Sequence, residues 1–527
     1  MTGLALLLLS SATAFALAQR FRLPAIPLLI VLGFVITRLG VGMDRSALNQ
    51  VLDIGLAFLV FAAGIELNPS RFTGQSRAIL WIGIVQFLTA GTLGFLLARL
   101  IGFEFAASLY IGAGLSTSST LVAVRQIYRS PGSLRTYGRL VLGVLLVQDV
   151  AIIVLIVLLP RIPGGMPELF PGILALMVMA GTAIICQRLL PRIIRKGNLP
   201  DEETILLCTL AILFLFSGFS HWMQISFIAG GFAAGFALSG FPVSGEARSA
   251  LGSLNTFFVA VFFSALGAQV ELPDPGTLLT GLAFSAIVIL ATPVVVTILA
   301  EWKGRLSSRS AITAGLLLAQ TSEFSVILAV YGVRLGHISQ ETVSVIALVA
   351  VISMTLTPFL ATDVVARVLL DLHPLRRLMK TDSNLSDHVV ILGYGSSGRW
   401  VIRPLCASGL RVVIVDQDPA IITQLNKEGH TCIRGDAADE KVLLRAGADK
   451  ARFIIVSLHQ VEEVVKIIKH VGPDVPVFSR IFEESAAKRI ASSGGVPILN
   501  SSAAADRFME WFEHNLATGK EEAPPAT

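Results

Sequence analysis

One carboxylate interrupts a long apolar stretch of the sequence, GVLLVQDVAIIVLIVLL at 143–159. Gln148 and Asp149 stand near its middle, among aliphatic and small residues. A carboxylate at the centre of a bilayer is costly unless something offsets the loss of water. Arg139 is the one basic residue within ten positions of Asp149 along the sequence. An acid in this setting is by default an ion or proton site.

Polar runs interrupt two other apolar stretches, SLYIGAGLSTSSTLVAVRQIY at 108–128 and AGLLLAQTSEFSVILAVYG at 314–332. Such breaks free backbone carbonyls at membrane depth, and they are tolerated where they line a cavity or pack on protein. A pair of broken helices in corresponding halves of a chain indicates a transporter's binding site. The alternative is ordinary helix packing through small residues. The candidate helix-break or ion-coordinating residues are Thr117, Ser118, Ser119, Thr120, Gln320, Thr321 and Ser322.

Together these groups predict one site that a proton and a monovalent cation share. Asp149 can hold either of them, and holding one excludes the other. Gln148, the hydroxyls of the breaks and the freed carbonyls can replace water around K⁺ or Na⁺. Glu323 is either a second titrating group or a brace for the broken helices against a partner such as Arg125.

The composition places these stretches in a membrane domain. The chain has 527 residues, 54% of them hydrophobic and 15% charged, with a mean hydropathy of +0.75. Residues 1–370 carry 22 Lys/Arg and 16 Asp/Glu, whereas the remaining 157 residues carry 19 and 20. We therefore expect a membrane domain at 1–370, a linker at 371–386, a soluble domain at 387–516 and a flexible tail at 517–527. The four cysteines show no metal or disulfide spacing, and no metal site other than one for a monovalent cation is predicted.

The basic residues predict the topology. Thirteen apolar stretches can cross a bilayer as helices, and they start near residues 3, 23, 48, 78, 105, 138, 169, 204, 225, 253, 277, 310 and 341. The loops after odd-numbered stretches hold sixteen Lys/Arg, and the alternate loops hold five. Basic residues favour the cytoplasm, so we expect the amino terminus outside, the soluble domain inside and the chain in the inner (plasma) membrane. The net charge of +5 reflects these loops and does not indicate nucleic-acid binding.

The soluble part begins with a strand and a glycine-rich turn, DHVVILGYG at 387–395. Further strand-like segments alternate with helices, which is typical of a Rossmann-like α/β domain. Asp416 ends the second strand and could bind a ribose 2′-hydroxyl, so NAD(H) or AMP fits better than NADP. The alternative is a Rossmann fold that serves dimerisation without a ligand. The predicted nucleotide loop consists of Gly393, Tyr394, Gly395, Ser396, Ser397 and Gly398.

Five motifs make the chain resemble the monovalent cation:proton antiporter-2 family, most closely its Kef-like K⁺/H⁺ branch. They are FLVFAAGIEL at 58–67, STSSTLVAV at 116–124, LLVQDVAII at 145–153, FFSALGAQVEL at 262–272 and LLAQTSEFSVIL at 317–328. The resemblance implies an inverted-repeat antiporter fold, an elevator mechanism, a homodimer and a regulatory RCK (TrkA-N) domain in which Asp436 lies near the adenine. The single acid of the Gln148–Asp149 pair resembles electroneutral exchangers that favour K⁺. The segment FPVSGEARSALGSL at 241–254 has only one acid, so glutathione control is not expected.

Two other functions compete with an antiporter. A potassium channel gated by the same domain needs a carbonyl filter of the TVGYG type, but the one GYG sequence, Gly393–Gly395, lies in the nucleotide loop. A membrane-anchored NAD-dependent oxidoreductase needs a substrate domain after the dinucleotide core, and no catalytic His/Lys/Tyr constellation stands out. The sequence therefore predicts a regulated antiporter that is not an enzyme.

Overall fold

The chain forms two compact units in the computed structural model, and each is described by itself. The first comprises Met1–Ile127, Tyr137–Gly304 and Ala311–Ala366, and the second comprises Tyr128–Thr136, Arg305–Ser310 and Arg367–Thr527. The structure describes residues 2–21, 23–38, 45–66, 76–129, 137–162, 165–194, 202–239, 245–270, 274–304, 306, 308–372, 387–394, 401–402, 404–458, 461–481, 483–499 and 509. Most of the predicted linker and the whole predicted tail lie outside these ranges.

Helices make up the first unit. Those before the mid-chain are α1 (Thr2–Phe21), α2 (Ala25–Arg38), α3 (Arg45–Glu66), α4 (Ser76–Ile101), α5 (Phe105–Leu115), α6 (Thr120–Arg129), α7 (Arg139–Leu158) and α8 (Met166–Ile194). Those that follow are α9 (Glu202–Trp222), α10 (Phe227–Leu238), α11 (Gly245–Gln269), α12 (Pro275–Trp302), α13 (Ser308–Leu317), α14 (Glu323–Arg334), α15 (Gln340–Leu360) and α16 (Asp363–Leu372). The multi-helical fold predicted from the sequence is confirmed.

Each of the thirteen predicted membrane stretches coincides with a helix or a pair of helices. Within the described ranges, seven helical stretches are long and apolar enough to cross a bilayer, and five further apolar helices are shorter. The number of true membrane crossings therefore stays a prediction. Long apolar helices are expected here because hydrocarbon offers no partner to a free backbone N–H or C=O, and a helix pairs both internally.

Glycines bring several of these helices into backbone contact. A Cβ atom on Gly235 of α10 would collide with the carbonyl oxygen of Phe61 on α3, and one on Gly267 of α11 would collide with the carbonyl oxygen of Ile30 on α2. Small residues allow such close approach, and van der Waals packing then holds the helices together where no water is present to drive association. The α3–α10 and α2–α11 crossings thus form much of the core of the unit.

Both predicted helix interruptions are present. Helix α5 ends at Leu115 and α6 begins at Thr120, while α13 ends at Leu317 and α14 begins at Glu323. Each break leaves backbone groups without intrahelical partners. Ser322 caps α14, because its Oγ accepts a hydrogen bond of 3.2 Å from the backbone N–H of Phe324.

A six-stranded parallel sheet forms the core of the second unit. Its strands are β1 (Val389–Leu392), β2 (Val412–Asp416), β3 (Thr431–Arg434), β4 (Phe453–Val456), β5 (Val477–Ile481) and β6 (Val496–Leu499), in the order β3-β2-β1-β4-β5-β6. The described helices are α17 (Pro419–Lys427), α18 (Glu440–Arg445), α19 (Val461–Val471) and α20 (Glu484–Ser492). Strand β1 pairs with both β2 and β4, so the order reverses there, as in a doubly wound nucleotide-binding fold. The predicted Rossmann-like domain is confirmed.

Candidate functional site

Asp149 lies buried near the middle of α7, where its side chain is 7% exposed. The hydroxyl of Thr120, the first residue of α6, donates a hydrogen bond of 3.1 Å to Oδ2. The other carboxylate oxygen, Oδ1, is buried and has no hydrogen-bond partner among the described residues. A buried polar atom without a partner is rare in proteins and calls for a bound proton, water or ion. The structure therefore places an incompletely satisfied acid beside the first helix break.

Gln148 is fully buried and joins α7 to two other elements. Its Oε1 accepts a hydrogen bond of 3.0 Å from the backbone N–H of Ser118, a donor that the break has freed. Its Nε2 donates to Oε1 of Gln86 on α4. Gln148 thus ties α7 to α4 and to the first break, and its role as a cation ligand stays a prediction, since Oε1 keeps a second lone pair.

The two breaks contact each other directly. Ser118 donates its hydroxyl to the carbonyl oxygen of Leu318 at 2.8 Å, across 200 residues of sequence. Gln320 donates its Nε2 to the carbonyl oxygens of Leu317 at 3.1 Å and Ser119 at 3.4 Å. Backbone carbonyl oxygens at the breaks thus accept hydrogen bonds from side chains of both breaks. The two interruptions therefore form one site.

Two of the three predicted threonines, Thr117 and Thr321, take part in separate hydrogen-bond pairs. The hydroxyl of Thr117 lies 3.3 Å from that of Ser325 on α14, and Ser325 in turn donates to the carbonyl oxygen of Gly114 at 2.6 Å. Thr321 contacts Ser353 on α15 through both its backbone N–H, at 3.1 Å, and its hydroxyl, at 3.2 Å. The threonines therefore brace the breaks against the surrounding helices.

Glu323 is buried at the first turn of α14, where the positive end of the helix dipole favours a carboxylate. Its Oε2 has no hydrogen-bond partner among the described residues, and the same holds for Oε1 of Gln320. The suggestion that Arg125 braces Glu323 is wrong, because the Arg125 side chain is exposed and donates to the carbonyl oxygen of Leu23. A long charged side chain that can keep its guanidinium in water does so at lower cost than it pairs with a buried acid.

The donor set at the breaks consists of oxygen atoms from carboxylates, amides, hydroxyls and carbonyls. Oxygen ligands suit a proton or an alkali cation, and nitrogen or sulfur ligands would suit a transition metal. Across the described ranges, no group of three His, Cys, Asp or Glu side chains could hold a metal ion. The arrangement can thus bind and release a proton or a small hard cation.

Three residues of this site were not predicted from the sequence: Gln86, Ser325 and Ser353. Gln86 could have been identified from the sequence, since it is the one amide in the apolar stretch AILWIGIVQFLTAG at 78–91. Ser325 and Ser353 could not, because serines inside membrane helices often bond only to their own backbone. Their roles depend on which helices pack together, and no local pattern reveals that.

The described part of the predicted nucleotide loop comprises Gly393 and Tyr394. Gly393 has a φ of +85°, a left-handed backbone that glycine adopts freely. The backbone N–H of Tyr394 donates to Asp416 Oδ2 at 2.7 Å, and that of Asp418 donates to Oδ1 at 2.8 Å. Burial raises the pKa of Asp416, although these two hydrogen bonds lower it in part. Gly395, Ser396, Ser397 and Gly398 lie outside the described residues.

Asp436 follows β3 and is paired within the second unit, to which the first three residues of α13, Ser308 to Ser310, also belong. Its Oδ1 accepts the backbone N–H of Ala438 at 3.0 Å, and its Oδ2 lies 2.7 Å from Nη1 of Arg309. Asp416 and Asp436 each stand just beyond or at the carboxyl end of a neighbouring strand, β2 and β3. They therefore share the edge of the sheet where open α/β folds bind ligands.

A cavity of about 180 Å³ lies at the same edge, beyond β4 and β5. It is lined by Ser457, Leu458, Val461, Val464, Ser479, Arg480, Ile481, Glu483, Ala486 and Ile490. A Cβ atom on Gly393 would stand 3.6 Å from the side chain of Leu458 and 3.7 Å from that of Ser457. The cavity therefore begins beside the nucleotide loop.

Comparison with known proteins gives two family matches and several structural ones. The model of the transmembrane sodium/hydrogen exchanger family matches residues 5–365, and that of the TrkA-N domain matches residues 389–498. The sodium proton antiporter MjNhaP1 from Methanocaldococcus jannaschii is 17% identical over 70% of this chain and 99% of its own, with a TM-score of 0.52. The TrkA-N domain of the inner membrane protein YbaL from Escherichia coli is 20% identical over 24% of this chain and 98% of its own, with a TM-score of 0.24.

Proposed function

Because the chain belongs to the sodium/hydrogen exchanger family, we propose that Asp149 is the binding site that a monovalent cation and a proton share during exchange. The family consists of transporters, so the chain is a cation:proton antiporter and not an enzyme. The observation that carries the proposal is the buried Oδ1 atom of Asp149, which has no partner among the described residues. The acid lies beside two helix breaks that contact each other. A carboxylate with one free oxygen can accept a proton or a cation, and occupancy by one excludes the other.

K⁺ is the favoured cation in this proposal, and Na⁺ is the alternative. The Gln148–Asp149 pair supplies a single acid on α7, and the residues before Glu323 are Thr321 and Ser322 with no basic residue among them. Both features resemble Kef-like K⁺/H⁺ exchangers. One carboxylate that trades one cation for one proton moves no net charge, so we propose electroneutral exchange.

The second unit supports a regulatory nucleotide. Gly393 and Asp416 stand where a Rossmann fold holds a pyrophosphate and a ribose. Each carboxylate oxygen of Asp416 accepts one backbone N–H and keeps a second lone pair for a ribose hydroxyl. The cavity beside Gly393 offers room beyond one mononucleotide, which favours NAD(H) over AMP. We further propose a homodimer in the inner membrane, with the amino terminus outside and the second unit in the cytoplasm.

Exchange by the purified protein in proteoliposomes tests the proposal. Gradients of K⁺, Na⁺ and Rb⁺ are applied across a pH series, with and without NADH or AMP. We expect cation-dependent proton flux for K⁺, with Asp149→Asn lowering it to the background of empty vesicles. Asn keeps the size of the side chain and a hydrogen-bonding oxygen, so the variant should fold.

Two further variants sharpen the experiment. Glu323→Gln should fold, and it should shift the pH dependence of exchange if Glu323 also titrates. An unchanged pH profile would instead indicate that Glu323 only braces the broken helices. Glu168→Gln removes an exposed acid at the start of α8 and should exchange like the original protein. Full exchange by Asp149→Asn would refute the proposed site, and cation currents without proton coupling would indicate a channel.

A further inference from the structure

The side chain of Gln86 is buried in the apolar helix α4 and bonded to the neighbour of Asp149. It is 2% exposed, and its Oε1 accepts a hydrogen bond from Nε2 of Gln148. Burying an amide in an apolar helix is unfavourable unless hydrogen bonds compensate. We infer that Gln86 is a positioning residue for transport, which acts by fixing the orientation of the Gln148 amide. This inference rests on the proposed function of Asp149.

The orientation of the Gln148 amide matters because its oxygen accepts a hydrogen bond from one group and its nitrogen donates one to another. With Nε2 directed at Gln86, Oε1 faces the backbone N–H of Ser118 and satisfies the donor that the end of α5 has freed. If the amide rotated by half a turn, its NH₂ group would face the Ser118 N–H, and two donors would oppose each other without an acceptor. Gln86 offers an acceptor on the far side and thereby disfavours the rotated state.

The orientation of Ser118 in turn affects the acid. Thr120 follows Ser118 by two residues, and its hydroxyl is the donor that binds Oδ2 of Asp149. Ser118 also donates its hydroxyl to Leu318 in the second break. A Gln148 amide that no longer holds Ser118 would loosen the hydroxyl beside Asp149 and the contact between the breaks. Cation binding would weaken, since a cation needs several oxygens placed together, whereas a proton needs only the carboxylate.

The surroundings of Gln86 allow this idea to be tested without unfolding the protein. A small cavity of about 10 Å³, roughly the space of one water molecule, lies between α4 and α12 beside Gln86. Most of its lining is apolar, including Ala90, Leu93 and Val288. Methionine at position 86 matches glutamine in length and finds apolar neighbours, but it cannot accept the hydrogen bond from Gln148.

The experiment compares Gln86→Met with Thr89→Val in K⁺/H⁺ exchange by proteoliposomes. Thr89 lies on the same helix beside the same cavity, but its hydroxyl donates to Val85 within α4, so its loss should leave exchange unchanged. We expect Gln86→Met to raise the KM for K⁺ about tenfold, the loss typical of one hydrogen bond, with kcat changed less than about twofold. The pH of half-maximal exchange at a fixed K⁺ concentration should rise, because K⁺ that binds more weakly competes less well with the proton.

Two additional measurements separate the possible outcomes. If Gln86 acts through Gln148, adding Gln86→Met to Gln148→Met should change the KM no further, and additive effects would overturn the inference. A folded Gln86→Met protein with the original KM and pH profile would also overturn it. If Gln86→Met fails to fold, Gln86→Asn, which is one methylene too short to reach Gln148, should show the same rise. Full exchange by Asp149→Asn would instead refute the proposed function, and thermal stabilisation of each variant by K⁺ would then still report on Gln86.

Discussion

At the scale of single residues, the proposed membrane site and the proposed nucleotide site both depend on a buried carboxylate. Asp149 accepts one hydroxyl and keeps one free oxygen. Asp416 accepts two backbone N–H groups and has its pKa raised by burial. The first arrangement leaves room for an exchangeable ion. The second holds the carboxylate in place for a hydrogen-bonding ligand, and its protonation can be followed in solution.

Nucleotide affinity should fall on acidification. A ribose hydroxyl donates to the charged form of Asp416, so a bound nucleotide favours that form. Because burial raises the pKa of Asp416 above the usual value of about 3.9, the carboxyl takes up its proton at a higher pH than an ordinary aspartate. Binding that depends on the charged form is present above the raised pKa and is lost as the pH falls through it.

Calorimetric titration with AMP and NAD⁺, from neutral pH down to acidic pH, measures this loss of nucleotide affinity. We expect Asp416→Asn to bind more weakly at neutral pH and with a flatter pH dependence. Asp449→Asn, which changes an exposed acid outside the site, should match the original protein. An equal pH dependence in Asp416→Asn would show that another group is responsible.

At the scale of helices and strands, the first unit depends on close helix crossings and on contacts between its two helix breaks. The α3–α10 crossing depends on Gly235, whose missing Cβ leaves room for the carbonyl oxygen of Phe61. The two breaks depend on each other, since Ser118 and Gln320 each donate a hydrogen bond to a backbone carbonyl oxygen of the other break. These hydrogen bonds between the breaks thus join the two halves of the candidate site.

The α3–α10 crossing makes Gly235→Ala a test of packing. The added methyl group must push two backbones apart, and overpacking of this kind costs about 1–3 kcal/mol. We expect a lower Tm in detergent and less folded protein. Gly181→Ala adds the same methyl group to α8 in open space and should be neutral or gain up to about 1 kcal/mol from helix propensity. An equal Tm for the two variants would contradict the close crossing.

The elements were largely predictable from sequence, and their partners were not. A charge such as Asp149 in an apolar run, or a polar run such as 116–120, stands out locally, so the breaks and the acid could be found. The alternation of strands after Gly393 likewise indicated the Rossmann-like fold. Contacts between Gln86 and Gln148, or between Thr321 and Ser353, join helices far apart in sequence. No local period encodes which faces meet, so these contacts became visible only in the structure.

At the scale of the whole molecule, the chain combines two units made for different solvents. The first is apolar and helical, and it matches the sodium/hydrogen exchanger family, while the second is a parallel sheet domain that matches the TrkA-N family. A nucleotide on the second unit can change transport only if it binds one transport state more tightly than another. The shift that the nucleotide causes in the equilibrium between transport states therefore cannot exceed the difference in its binding free energy between those states.

Regulation should be lost when the nucleotide loop is blocked. Gly395→Asp places a carboxylate where the motif brings the backbone close to a pyrophosphate, so repulsion and bulk should weaken nucleotide binding. We expect the change in exchange rate caused by NADH or AMP to disappear in this variant, with calorimetry confirming weaker binding. Unchanged binding would contradict the assignment of 393–398 as the nucleotide loop.

The hydrogen bond between Ser118 and Leu318 spans 200 residues of chain, and this has a consequence for biosynthesis. When the ribosome has delivered only the first half of the protein to the bilayer, the partner that closes the first break has not yet been made. Asp149 and the open helix ends must wait in lipid, or under a protective insertion factor, until α13 and α14 arrive. The proposed transport site is therefore among the last features of the molecule to mature, although its acid is translated early.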